Sequence, residues 1–560
     1  MDGDPSPLHE SFEDLYGRDL DAFRSFFRSE LPPLGQVSSH SLLRFPVCDS
    51  RASLLFVVEH LRERINEGSL RDLEERFNAS LDEEKEHPLQ NLQHIVLRDG
   101  NTGLGWHKAL EQVRALGKGS YGTVDEMRAV EERYAPVQMG VCIEKIDSRV
   151  GSLFEEFSPA VERDEYTLAM KSAPLSLESR PGDDPAQVIP RLGEVVEAGI
   201  SFSLSQLQLP GFPLFFGSGL AWQEGPFRPE LLQLVFQELM TGTMEQMLKE
   251  EGVTSFLIGS ALLQVSFSYQ TAKRLVGFVH KDLKPNNVMY QTFPDSEKTV
   301  HFATLHPLGE DRVRFLSFRA PLRACGLWKM IDFGAADAYP TLSLLGAELG
   351  DMESEQTRVP LQGSSFFNAI LPPHQSAERR AELIGDYRRF REEDIIPELK
   401  EFLPPAEELD TLLARLDDNE PARKEVARQA EESVLMLLMQ TALFLHRSKE
   451  RSKISEEELL EILHAFWDLN PLTLLLLRYP SGSDKYHGNF FFFLQYCLPG
   501  LFDEEFVTTP STLLESEQFL PSLINGSELH MGEAEGGWEE WQAALLEENS
   551  RNFLVFCERV

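Results

Sequence analysis

His280-Lys281-Asp282-Leu283-Lys284-Pro285-Asn286-Asn287-Val288-Met289 follows an apolar stretch, 261–276, whose period is helical. This decapeptide decides the reading of the whole chain. An Asp placed beside an attacked hydroxyl can orient it and accept its proton. Lys284, two residues on, can neutralise a phosphoryl group in transit. Asn287, five beyond Asp282, offers a hard oxygen to Mg2+. The string is specific because acid, lysine and amide each stand at the spacing the chemistry needs.

Three further strings occur in order around it. Upstream lies Gly117-Lys118-Gly119-Ser120-Tyr121-Gly122-Thr123-Val124. Its glycines let a strand-turn-strand pass close over phosphates with backbone N–H groups facing the anion. Val124 would then lie against an adenine ring. A Gly-x-Gly-x-x-Gly string also occurs in dinucleotide-binding folds, but no strong parallel strand precedes this one. Next comes the predicted strand Tyr166-Thr167-Leu168-Ala169-Met170-Lys171, ending in a lysine suited to α- and β-phosphates. Downstream, Trp328-Lys329-Met330-Ile331-Asp332-Phe333-Gly334 is an apolar strand that ends in a metal-binding Asp, with Gly334 freeing the chain to turn.

Taken together these residues resemble the eukaryotic-type protein kinase superfamily over roughly residues 105–505. The resemblance implies an α+β fold of two lobes, a small β-rich lobe over 105–240 and a large helical lobe over 241–505. It carries Lys171 over as the phosphate anchor and Asp282 as the catalytic base, with Lys284 beside it. Asn287 and Asp332 become metal ligands, and ATP and Mg2+ the expected cofactors. Lys284 two after Asp282 resembles the serine/threonine class. A helix over 187–207 should offer a glutamate to Lys171; Glu197, with Ile200 and Leu204 at inward spacing, is preferred to Glu194. Leu234–Leu239 should line an adenine pocket, with Gln237 gatekeeper-like and Ala169 among the nucleotide-binding residues. Backbone groups of Glu238 to Met240 should meet the adenine.

The chain departs from the family's pattern in places. Lys281 replaces the usual arginine and keeps its charge without the bidentate fork. Nearly fifty residues separate Gly122 from Lys171, and a few dozen separate Asn287 from Asp332. No Ala-Pro-Glu string follows; the segment from Gly363 to His374 stands in its place, and Asp386 would match an aspartate that braces the catalytic loop. Two other readings therefore accompany a Ser/Thr protein kinase: a nucleotide-binding scaffold without turnover, and a small-molecule kinase of related fold.

Composition agrees with an intracellular, soluble protein. The 560 residues are 42% hydrophobic, and 91 acidic against 53 basic side chains give a formal net charge of −38. Such a surface repels nucleic acid and anionic membrane and favours basic protein substrates. Five scattered cysteines argue against a disulfide framework or zinc site. The acidic N-terminus does not read as a signal peptide, and the runs 434–445 and 490–502 are too short to span a bilayer.

The flanks read as helical extensions able to dock partners. Residues 1–104 carry apolar faces at Phe23, Phe26 and Phe27 and around Leu54–Leu61. Residues 506–560 are acidic, with a closing helix expected near Trp538–Glu548. Between them, VHFATL and VRFLSF predict an inserted hairpin, Ala422–Arg451 a long amphipathic helix, and Ser455 the N-cap of another. Phe490–Phe493 is expected in the core.

Overall fold

The computed structural model describes residues 96–98, 110–118, 122–129, 167–175, 197, 200, 201, 204, 209–213, 215–224, 229–249, 253–294, 299–307, 312–338, 361–362, 377–417, 419–448, 454–480, 484–501, 507–524, 528–535 and 553–557. The fold is α+β, with its strands concentrated before residue 340 and its helices after 375.

The first sheet contains β1 (Val96–Arg98), β2 (Leu110–Lys118), β3 (Thr123–Ala129), β4 (Thr167–Leu175), β5 (Phe215–Glu224) and β6 (Pro229–Gln237), in the order β1-β5-β6-β4-β3-β2. β2 and β3 form the antiparallel pair expected on either side of the glycine string. The close approach of β3 to β4 explains one glycine. A Cβ on Gly122 would stand 2.2 Å from the Ser172 carbonyl oxygen, whereas one on Gly117 would meet nothing within 4 Å among the described residues. β1 corrects the sequence reading: residues 96–98, assigned to a helical extension, are an edge strand parallel to β5. Phe23, Phe26, Phe27 and Leu54–Leu61 lie outside the described residues, as does the expected helix near Trp538–Glu548.

After β7 (Gly242–Thr243) and α1 (Met244–Lys249), α2 (Ser255–Val276) runs as the long apolar helix read from the sequence. Thr254 caps its first turn by accepting from Leu257 N–H, and Gly277 ends it in the left-handed region, as helix termini commonly do. α2 is buried along nearly its whole length, with Ile258, Leu262, Val265, Phe267 and Ala272 in the core. β8 (Val288–Gln291) follows, then β9 (Thr299–Pro307) and β10 (Arg312–Pro321), the predicted hairpin, then β11 (Leu327–Met330). β12 (Asp337–Ala338) and β13 (Leu361–Gln362) form a short antiparallel pair.

The helical part comprises α3 (Ala377–Arg389), α4 (Ala406–Asp417), α5 (Glu420–Glu432), α6 (Leu435–Ser448) and α7 (Glu456–Leu469). Ser455 caps α7 as expected, accepting from Glu458 N–H at 3.1 Å. The single long helix expected over 422–451 is two helices. Ser433 is extended, its hydroxyl accepts from Leu435 N–H, and Val434 N–H donates to Thr508 O at 2.8 Å. Tertiary contacts with Thr508 thus replace the helical bond that periodicity alone suggested.

Beyond it lie α8 (Phe490–Phe492), a π turn (Phe493–Cys497) and α9 (Leu498–Gly500). Phe490 and Phe493 are core residues, while Phe492 is 40% exposed. α10 (Pro510–Glu515) and α11 (Phe519–Leu523) pack on α2, where a Cβ on Gly259 would come within 2.6 Å of Ile524. The acidic tail is not wholly helical. β14 (Leu529–Glu535) pairs antiparallel with β10, and β15 (Phe553–Cys557) parallel with β9, making the sheet β14-β10-β9-β15. The tail pairs with both edges of the inserted hairpin, a long-range pairing that no local pattern encodes.

Candidate functional site

The position of the site follows from one pair of strands. β8 and β11 are antiparallel with Val288 opposite Met330. Asn287, just before β8, and Asp332, just after β11, therefore lie at the same end of the pair. Ile331 N–H donates to Asn287 O at 2.9 Å and locks that end. The hairpin β9–β10 leaves from the opposite end of the pair.

The 280–287 loop is held from several sides. His280 is buried and its Nε2 lies 3.0 Å from the Ile331 carbonyl. Burial lowers the imidazole below its ordinary value, so the ring is neutral and Nε2–H donates. Among the described residues, none hydrogen-bonds its buried Nδ1. Lys281 takes a positive φ of 62° and pairs with Asp337 at 2.5 Å, with Glu431 at 3.7 Å. Val279 and Asp337 exchange backbone hydrogen bonds of 2.8 Å. Lys281 is thus tied to the segment just after Asp332.

Asp282 gathers donors on both carboxylate oxygens. Lys284 Nζ donates to Oδ2 at 2.6 Å and Asn287 Nδ2 at 3.1 Å, while the Tyr496 hydroxyl donates to Oδ1. Asn287 Nδ2 also reaches the Asp282 carbonyl at 2.8 Å, so the three residues of the string form one hydrogen-bonded unit.

A second cluster joins the first sheet to β11. Lys171 lies in β4 between Val124 of β3 and Val235 of β6. Its ammonium donates to both oxygens of Glu197 at 2.8 Å and to Asp332 Oδ1 at 2.6 Å. Glu197, Ile200, Ser201 and Leu204 are helical and buried, and the preferred glutamate is the one that meets Lys171. Burial would lower the Lys171 ammonium, but the Glu197 and Asp332 carboxylates outweigh it and hold it above its ordinary value. One ammonium does not compensate two carboxylates. Burial works to raise Asp332, yet Lys171 wins and holds it low. Buried Glu197 is pushed up by desolvation against the pull of Lys171.

Asp332 itself has φ 65° and ψ 69°. Among the described residues, Lys281 and Asp332 are the two non-glycine residues with positive φ. Such conformations cost about 1–3 kcal/mol and concentrate at functional sites. Phe333 anchors the turn: it is 2% exposed and packs against Phe278 at 5.8 Å, His280 at 5.7 Å and Phe212 at 6.1 Å.

The remaining predicted residues fall as follows. Gly117 and Lys118 end β2; Gly119, Ser120 and Tyr121 lie outside the described residues; Val124 lies opposite Lys171. Ala169 faces Gln237 across β4 and β6. Glu238, Leu239 and Met240 leave β6 without regular structure. The Glu238 side chain is buried and takes an ion pair from Lys329 at 2.6 Å, a partnership the sequence reading missed. Two charges inside the apolar strings LVFQELM and LWKMI were its signal. Asp386 does not brace the 280–287 loop; its Oδ2 accepts from His487 N–H at 2.7 Å and lies 2.9 Å from His487 Nδ1. The segment from Gly363 to His374 is outside the described residues.

Among the described residues, no helix is long and apolar enough to cross a membrane. No protein-family model matches the chain, and no curated protein matches it.

Proposed function

We propose that the protein is an ATP- and Mg2+-dependent protein kinase that transfers the γ-phosphate to serine or threonine hydroxyls. The observation that carries this reading is the Lys171 ammonium held by Glu197 on one side and Asp332 on the other, next to the Asp282–Lys284–Asn287 unit.

In this reading Lys171, oriented by Glu197, neutralises the α- and β-phosphates of ATP. Asp282 orients the acceptor hydroxyl and takes its proton, and Lys284 offsets charge on the phosphoryl group in transit. Asn287 and Asp332 fit a divalent cation: both offer hard oxygens, and the backbone bond from Ile331 to Asn287 fixes them at one end of β8–β11. Among the described residues, no group of three or more His, Cys, Asp or Glu could hold a metal. An ion at Asn287 and Asp332 would therefore complete its shell from phosphate oxygens and water, the habit of Mg2+. Held by Asn287 and Asp332, such an ion would supply neutralisation of phosphate charge. The acidic composition favours basic protein substrates.

A nucleotide-binding scaffold is the second reading. It is favoured by the Asp282 side chain, which is only 7% exposed.

The test is transfer of labelled γ-phosphate from Mg-ATP to a panel of basic proteins by wild type and Asp282→Asn. The kinase reading expects transfer that falls about a hundredfold to ten-thousandfold in the variant. Transfer equal in both removes Asp282 from the mechanism, and no transfer by wild type favours the scaffold.

A further inference from the structure

Tyr496 lies 214 residues from Asp282 in sequence, yet its hydroxyl donates to Asp282 Oδ1. The ring is 5% exposed and lies nearly parallel to Phe492, with centroids 6.3 Å apart. It stands on the π turn Phe493–Cys497, where Leu498 N–H reaches back five residues to Phe493 O. Pro499 gives that turn a cause. It has no N–H to offer the Gln495 carbonyl, so the regular helical bond is lost there. π turns inside helices are often found at functional sites, and this one delivers a phenol to the loop.

An ionised carboxylate offers about four acceptor directions. Lys284 and Asn287 take both on Oδ2, and Tyr496 takes one on Oδ1. The remaining direction, on Oδ1, is the one an acceptor hydroxyl would use. Lys284 and Asn287 alone hold the carboxylate by one oxygen and leave it free to swing about that point. A third donor on the other oxygen fixes its plane, and so fixes where Oδ1 meets the acceptor.

We propose that Tyr496 is a positioning residue for Asp282, holding the carboxylate in the orientation that receives the acceptor proton; this rests on the kinase reading. Tyr496→Phe in the full chain keeps the ring and removes only the hydroxyl. The kcat for a basic protein substrate is expected to fall about tenfold, with the Kd for Mg-ATP unchanged. An unchanged kcat overturns the proposal. A raised kcat also overturns it, showing instead that Tyr496 covers the acceptor's place.

The contact itself is tested without turnover. In a double-mutant cycle of Tyr496→Phe and Asp282→Ala read by urea unfolding, the effects are expected to be non-additive. Additive effects overturn the positioning contact alone. Coupled effects in a protein whose wild type transfers no phosphate overturn the kinase reading, and the positioning role with it.

Discussion

Lys171 and Lys329 each pair with a buried glutamate, Glu197 at 2.8 Å and Glu238 at 2.6 Å. The chemistry is the same and the surroundings are opposite. The Lys329 and Glu238 side chains are 3% and 0% exposed, so that pair is sealed. Lys171 is 13% exposed and shares its charge with Asp332, whose side chain is 38% exposed. The sealed pair joins the end of β6 to β11 and is a fixture of the core. The open cluster sets one ammonium against two carboxylates at a solvent-accessible edge, where a bound cation can complete the compensation. A buried ion pair by itself is weak evidence for either stability or function; incomplete compensation at an accessible edge separates the two cases.

The largest effect on stability should come from breaking the sealed pair. Lys329→Met leaves Glu238 buried without its counter-charge and is expected to cost about 3–5 kcal/mol in urea unfolding. Replacing both partners, as Lys329→Met with Glu238→Leu, should leave stability unchanged or raise it by about 1–4 kcal/mol. A double variant as unstable as the single one would show that the charges themselves are required, and would blur the contrast with Lys171.

His280 is a third buried titratable group, and among the described residues no carboxylate is hydrogen-bonded to it. Its folded value lies below the ordinary 6.5, so below about pH 6.5 the unfolded chain binds more protons than the folded one. Stability should therefore fall as pH drops from about 6.5 towards the lowered folded value. The slope from this one group is at most about 1.4 kcal/mol per pH unit. Thermal unfolding of wild type and His280→Gln across pH 5–7 checks it: the variant should lack this part of the slope, and equal slopes would contradict the assignment.

The site was legible in sequence wherever its residues lie close together. Asp282, Lys284 and Asn287 are fixed by one loop, and Asp332 follows a short apolar strand. Glu197 was legible because Ile200 and Leu204 mark the buried face of its helix. What could not be read depends on long-range pairing. Tyr496 reaches Asp282 only after the helical half has packed, and its local trace is Pro499 three residues on. Glu238 was expected to contribute backbone groups, yet its side chain answers a charge on a strand 91 residues away. The alternation in Leu529–Glu535 is too polar to announce a strand, and it forms one because β10 offers an edge. The break at Ser433 likewise depends on Thr508, which no helical period foresees.

The most direct measurement is calorimetric titration of Mg-ATP into wild type, Lys171→Met, and the Lys329→Met/Glu238→Leu double variant. Binding by wild type and the double variant, with binding lost in Lys171→Met, is the predicted result. Equal binding by Lys171→Met, or none by wild type, would contradict the assignment of the open cluster as the nucleotide site.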